Sequence, residues 1–234
     1  MQRGGQLSIK DSHKKTKISA LTLAIMICLA GGFVIYQFID RIPEESAQPN
    51  GSVQSRTDID ESEVTEQDKV DHQVPVDAPR FVSVPDLGVE KARVVSIGLV
   101  AGTNQMDSPI SIFDAGWFNQ SEKPGLGSGA LLMDGHNGGP SKGGIFDTLG
   151  ELKAGAEIIV ERGDGEEFTY KVVSNKQLTL DEMNDANSSE GMTTALQSAE
   201  EGKQGLNIIT CVGNWLPAQD TFDQRVILRA VLVD

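Results

Sequence analysis

A mostly β domain, a closed barrel or a sandwich, preceded by a single transmembrane helix, is the fold this sequence predicts. Three observations predict it. Residues 18–39 form an uncharged apolar run. Residues 40–79 are acidic and poor in large apolar side chains. From residue 80 to 234, short runs rich in Val and Ile alternate with turn residues. The chain has 234 residues with 20 Lys+Arg and 34 Asp+Glu, a net charge of -14. That balance argues against nucleic-acid binding, which needs a cationic face to neutralise phosphates. Two cysteines exclude a disulfide scaffold or a Cys-rich zinc module. At about 100–200 residues per domain, the length fits one domain with appendages.

Charge divides the chain before any element is assigned. Residues 1–17 carry Arg3, Lys10, Lys14, Lys15 and Lys17 against Asp11, residues 18–39 carry no charge, and residues 40–79 and 80–234 are both acidic. As a helix rising about 1.5 Å per residue, residues 18–39 span roughly 33 Å, enough for the ~30 Å hydrocarbon core of a bilayer. A cleaved signal peptide would show an apolar region of about 7–15 residues and then a small-x-small site, and this run passes both marks. A buried globular helix would keep a polar stripe. With basic residues before the span and acidic residues after it, residues 1–17 are expected in the cytoplasm and everything after Asp40 outside the cell membrane. Residues 40–79 cannot bury enough apolar surface to fold alone, so a disordered, self-repelling stalk is expected there.

In residues 80–234, strands are predicted at 93–99, 130–133, 157–161, 168–173, 206–210 and 226–233, with Gly163-Asp164-Gly165 as a hairpin turn. Only two stretches read as helical, one near 145–152 and one near 193–200. No repeat with a period of about 20–50 residues is present. Many short strands joined by Gly-rich turns point to a closed barrel or a sandwich.

The region holds one histidine, His136, and one cysteine, Cys211. Cys28 lies within the apolar run, so Cys211 has no partner in its own compartment, and an unpaired thiol outside the cell marks either reactivity or intermolecular pairing. An inert buried thiol is the plainer alternative. Cys211 ends the run Leu206-Asn207-Ile208-Ile209-Thr210 and precedes Val212-Gly213-Asn214-Trp215. His136 follows Ala130-Leu131-Leu132-Met133-Asp134-Gly135 in the same way. Both therefore sit where a strand gives way to a loop, a place where reactive groups are exposed on a rigid support. Arg225 opens the last strand, and Arg229 shares its face at i+4, which also fits two solvated surface residues. Asp134 and Asn137 flank His136, where a solvated acid and a turn residue are the favoured readings.

The order of these features resembles the sortases, the cysteine transpeptidases of bacterial cell surfaces. The resemblance rests on an N-terminal anchor, an acidic stalk, Gly135-His136 after a strand, Thr210-Cys211 ending a later strand and Arg225 opening the last. The family's Thr-Leu-x-Thr-Cys strand is matched by Asn207-Ile208-Ile209-Thr210-Cys211, with Asn in place of the first Thr. Val84-Pro85-Asp86-Leu87-Gly88-Val89, Gly116-Trp117-Phe118 and Pro124-Gly125 extend the resemblance over residues 80–234, most closely to the short-domain classes D to F, with F the first choice.

The resemblance implies a closed sortase-type barrel of about eight strands with one or two short helices. It implies Cys211 as nucleophile, His136 as proton donor, Arg225 as oxyanion or backbone ligand, and Thr210 as an aid to substrate placement. The implied partners are surface proteins bearing a Leu-Pro-x-Thr-Gly-like sorting signal, and an amine acceptor from a peptidoglycan cross-bridge or a pilin lysine. No cofactor is implied. Calcium at the acidic stretch 181–185 lacks ligand spacing, and zinc lacks ligands. A thiol hydrolase on the same residues and a non-catalytic, membrane-tethered binding module are the alternatives. At reference pKa values of ~8.5 for thiol and ~6.5 for imidazole, a thiolate with an imidazolium would be under ~1% populated at pH 7, so the folded site has to change those values.

Overall fold

The computed structural model describes residues 59–233. Eight strands close into a barrel: β1 (Pro79–Val84), β2 (Val89–Ile97), β3 (Ala115–Phe118), β4 (Ala130–Gly135), β5 (Glu157–Arg162), β6 (Glu167–Thr179), β7 (Gly205–Leu216) and β8 (Thr221–Leu232). Around the barrel the order is β1-β2-β3-β4-β7-β8-β6-β5. The β2–β3 and β4–β7 pairs are parallel and the other pairs are antiparallel. Among the described residues two short helices complete it, α1 (Glu66–Asp71) and α2 (Leu180–Asn184). The mostly β, closed-barrel expectation holds. The expected tail at 1–17, the span at 18–39 and the first part of the stalk lie outside the described residues.

Period-two alternation builds the core. Leu131 and Met133 of β4, Leu206 and Ile208 of β7 and Val226, Leu228 and Ala230 of β8 point inward with Val82, Ile158 and Tyr170. Burying each large aliphatic side chain contributes about 1.5–3 kcal/mol. One polar hub crosses this interior. The Tyr170 hydroxyl donates to Gln204 Oε1 at 2.7 Å, and the Gly125 amide donates to the same oxygen at 2.8 Å. Gln204 Nε2 in turn donates to the Lys123 and Leu126 carbonyls. Burial pushes the Tyr170 phenol above its ordinary range, so it stays a neutral donor.

The sequence expectation departs from the structure in four places. Strands β1 and β3 were not anticipated, β3 because it has four residues with Gly116 among them. The stretch 145–152 forms only a 3₁₀ turn at Leu149–Glu151, since Ile145, Phe146, Leu149 and Leu152 are all drawn into the barrel, leaving i→i+3 bonds. The stretch 193–200 likewise yields only a 3₁₀ turn at Gly191–Thr194. The amide of Asn207 takes the Ala195 and Gln197 carbonyls at 2.8 and 3.0 Å, and a continued helix would use such carbonyls internally.

Residues 59–78 are the fourth departure. Expected as the end of a disordered stalk, they are folded against the barrel. The Asp60 amide donates to the Ile110 carbonyl at 2.9 Å, and the Ile112 amide donates to the Asp60 carbonyl at 3.0 Å. Glu61 accepts from the backbone of Ser141 at 2.8 Å and of Lys142 at 3.2 Å. Helix α1 starts from a capping box of Thr65 and Asp68 and buries none of its residues. His72 Nε2 lies 3.0 Å from the Val94 carbonyl, and Arg80 Nε donates to the His72 carbonyl at 2.9 Å. Val74 and Ala78 pack on the core at the end of the segment and the His72 ring on Phe81, while residues 60–61 are held by polar bonds, which an apolar-content reading cannot detect.

Candidate active site

Strand register brings the three candidate residues together. Strands β4 and β7 pair in parallel from Ala130↔Gly205 to Asp134↔Ile209, a constant offset of 75 residues. Carried one step beyond β4, that offset sets His136 level with Cys211. Across β7 and β8, Cys211 pairs directly with Arg225. Adjacent strands lie about 4.8 Å apart, and directly opposed residues share a face. His136, Cys211 and Arg225 therefore form one row across three neighbouring strands. Because Leu206, Ile208, Val226 and Leu228 point into the barrel, the row lies on the outer face.

Each member has its own support. His136 is half-buried, with Nε2 2.7 Å from the buried Pro109 carbonyl. Pro109 belongs to the connection 98–114 between β2 and β3. A carbonyl only accepts, so Nε2 carries the proton, and in the neutral ring Nδ1 is the free acceptor. Behind the ring, the His136 carbonyl accepts from the Phe146 amide at 3.0 Å, and Gly144 packs so closely that a Cβ would collide with that carbonyl oxygen.

Arg225 is half-buried and folds back along its own strand. Its Nη1 donates to the Phe222 and Gln224 carbonyls at 2.9 Å, and its Nη2 donates to Thr221 Oγ1 at 2.6 Å. A solvated surface arginine is therefore not what the structure shows. Cys211 is half-buried too, and its thiol is pushed up to about 11, mainly by burial; Arg225 opposes this and the Asp134 carboxylate adds to it. Burial outweighs the arginine, so the resting group is the neutral thiol.

Thr210 is placed differently from the sequence expectation. It is 2% exposed, and its Oγ1 donates to the Gly135 carbonyl at 2.7 Å. It points away from the outer face and ties the cysteine strand to the histidine strand, so in this structure it does not line the space in front of Cys211. Asp134 is also not the solvated acid expected. It is half-buried on the same face as His136 and accepts from Ser108 Oγ at 3.0 Å. Loss of hydration raises its carboxyl above the usual carboxylate range, against the opposing pull of His136, Ser108 and Arg225.

Beside the row, the outer face is apolar. Phe118, Leu132, Ile209 and Ile227 pack with Leu178, Met183 and Ala195, so the connection 180–204 between β6 and β7 crosses the sheet next to Cys211. Asn207 and Arg229 fasten it: Asn207 as described above, and Arg229 through Nη2 to the Gln197 carbonyl at 3.0 Å. The position where Asn replaces the family's Thr thus anchors this connection. Among the described residues, no group of three or more His, Cys, Asp or Glu comes together as a metal site. In the acidic stretch, Glu182 caps α2 through Thr179, and Glu190 pairs with Lys176.

Such a row suits acyl transfer, with a thiol nucleophile, a proton-exchanging imidazole and a cation for developing negative charge. The chain is similar in fold to sortase A from Corynebacterium diphtheriae (a lid mutant), at 21% identity and TM-score 0.48, covering 68% of this chain and 71% of that one. It is also similar to sortase C2 of Group B Streptococcus pilus island 1, at 18% identity and TM-score 0.49, covering 93% and 100%. Sortase D5 from Clostridium perfringens gives 16% identity and TM-score 0.46, covering 73% and 90%. Among curated proteins there is no significant match. What decides the family is the sortase domain model, which matches residues 82–233 and spans every strand from β2 to β8 together with the row. On that match the chain belongs to the sortase family of cysteine transpeptidases.

Proposed function

We propose that this sortase is membrane-anchored through residues 18–39, faces the outside of the cell, and joins surface proteins to an amine of the cell wall or of a pilin. The observation that carries its chemistry is the row of His136, Cys211 and Arg225 on three adjacent strands. His136 takes the proton of the Cys211 thiol, and the thiolate so formed attacks the Thr carbonyl of a Leu-Pro-x-Thr-Gly-like signal, forming the Sγ–C bond of a tetrahedral intermediate. Collapse of that intermediate breaks the Thr–Gly C–N bond, and His136 hands a proton to the departing Gly amine. The thioester left on Cys211 is then attacked by the acceptor amine, whose proton returns to His136 as the C–S bond breaks.

Arg225 suits the oxyanion. A guanidinium has five N–H donors in a rigid fork, and three are spent on Phe222, Gln224 and Thr221. Those bonds fix the plane of the group beside Cys211, so a donor aimed at a developing oxyanion costs little reorganisation.

The test uses the full-length protein in detergent micelles, with a quenched Leu-Pro-x-Thr-Gly peptide pool, with and without amine acceptors, beside Cys211→Ala. A Cys211-dependent thioester passed to an amine, detected by mass spectrometry, is the expected result. Cleavage to the free acid under every acceptor would instead make the protein a hydrolase, and turnover retained in Cys211→Ala would overturn the nucleophile.

A further inference from the structure

Asp134 is an acid the mechanism above does not use, in a place the barrel does not need it. Its strand neighbours at the same level are Gly116 on β3 and Ile209 on β7, and neither offers a polar side chain. Placing a carboxyl among such neighbours costs stability unless it is satisfied by specific partners. Its side-chain partner is Ser108, through the 3.0 Å bond to Oδ2. Ser108 immediately precedes Pro109, whose carbonyl receives His136 Nε2 at 2.7 Å. The same stretch is steadied by Asp107, whose Oδ1 accepts from the Ser108 amide at 2.9 Å and whose own amide donates to the Gly98 carbonyl at 2.9 Å.

We propose that Asp134 is a positioning residue of the active site, holding Ser108 and hence the Pro109 carbonyl against His136 while its carboxylate sets the charge balance of the row. The proposal rests on the reading of His136, Cys211 and Arg225 as the catalytic row. The charged or titratable groups facing Asp134 are His136 at the end of its own strand, Cys211 on β7 and Arg225 on β8, with the uncharged Ser108 above it. From there a carboxylate has two opposite effects. It attracts positive charge on its His136 and Arg225 neighbours, and it repels a Cys211 thiolate. It therefore adds to the burial that keeps the nucleophile protonated at rest, and it draws positive charge toward the place where the amine leaves.

These effects have opposite signs in two measurements, which a merely structural residue would not produce. In Asp134→Asn the amide oxygen can still accept from Ser108 but the charge is gone. Iodoacetamide should then alkylate Cys211 about threefold or more faster at pH 8. Turnover of the peptide pool should fall about tenfold, in kcat with little change in KM, and the basic limb of the pH profile should move to lower pH. Ser108→Ala keeps the charge and loses the bond. There kcat should fall severalfold while alkylation and the basic limb stay where they are.

Wild-type kcat and an unmoved pH profile in Asp134→Asn would overturn the proposal, as would a fall in both alkylation and turnover. If Asp134→Asn does not fold, unchanged kcat in Ser108→Ala overturns it alone. Cys211→Ala is run beside them: turnover surviving there sinks the catalytic reading itself, whereas loss there with an indifferent Asp134→Asn sinks only the proposal.

Discussion

The two faces of strands β4, β7 and β8 are made of alternate residues of the same segments, yet they are built to different ends. Inward, Leu131, Met133, Leu206, Ile208, Val226 and Leu228 form a buried apolar interior. Outward, Asp134, Asn207, Cys211, Arg225 and Arg229 stand among a smaller apolar set. The inner face is generic, since side chains of similar volume would fill it. The outer face is particular, since Asn207, Arg225 and Arg229 each hold a named carbonyl. Stability and chemistry are thus separated by one step of the strand period, and substitutions should separate them too.

The sharpest break in the comparison is on the outer face. Cys211→Ala should abolish acyl transfer completely while moving the unfolding midpoint in denaturant very little, within the about 0.5 kcal/mol usual for sites away from the core. Three residues back and on the other face, Ile208→Ala should do the reverse. A cost of about 2–5 kcal/mol in denaturant unfolding is expected, with normal turnover per folded molecule. A third measurement sharpens the outer face alone. Because the Cys211 thiol is raised to about 11, its thiolate fraction climbs with pH throughout the range below that value. Alkylation by iodoacetamide should therefore rise about tenfold per pH unit from pH 7 to 10. A plateau near neutrality would show that the imidazole, not burial, governs the thiol. The smallest effect belongs to Asn207→Ala, which frees the Ala195 and Gln197 carbonyls and should cost about 1–3 kcal/mol. With the β6–β7 connection loosened beside the row, the peptide KM should rise while Cys211 alkylation is unaffected.

Much of this was legible in the sequence, for physical reasons. Six of the eight strands announce themselves as short apolar runs, five of them rich in β-branched residues, and the lone His136 and Cys211 stand out as strand ends in a region with no other residue of either kind. Their adjacency was not legible, because the parallel pairing of β4 with β7 brings together residues 75 apart, and no local pattern encodes register. Thr210 is the instructive miss. Its place next to the cysteine in sequence implies a shared role, but strand alternation turns consecutive residues to opposite faces. Asp134 was judged by its charge, whereas its burial depends on Ser108, 26 residues earlier. The short strands β1 and β3 and the 3₁₀ turns escaped because each draws its stability from neighbours distant in sequence.

The strap at residues 59–72 bears on where the catalytic unit begins. A fragment cut at residue 80, where the Val- and Ile-rich pattern starts, would leave the Ser141 and Lys142 amides without Glu61, the Ile110 carbonyl and Ile112 amide without Asp60, and Arg80 without the His72 carbonyl. Two of those sites border His136, one on the loop just after it and one next to Pro109. A catalytic fragment should therefore start no later than Asp60, and a shorter one would be a damaged active site rather than a trimmed one.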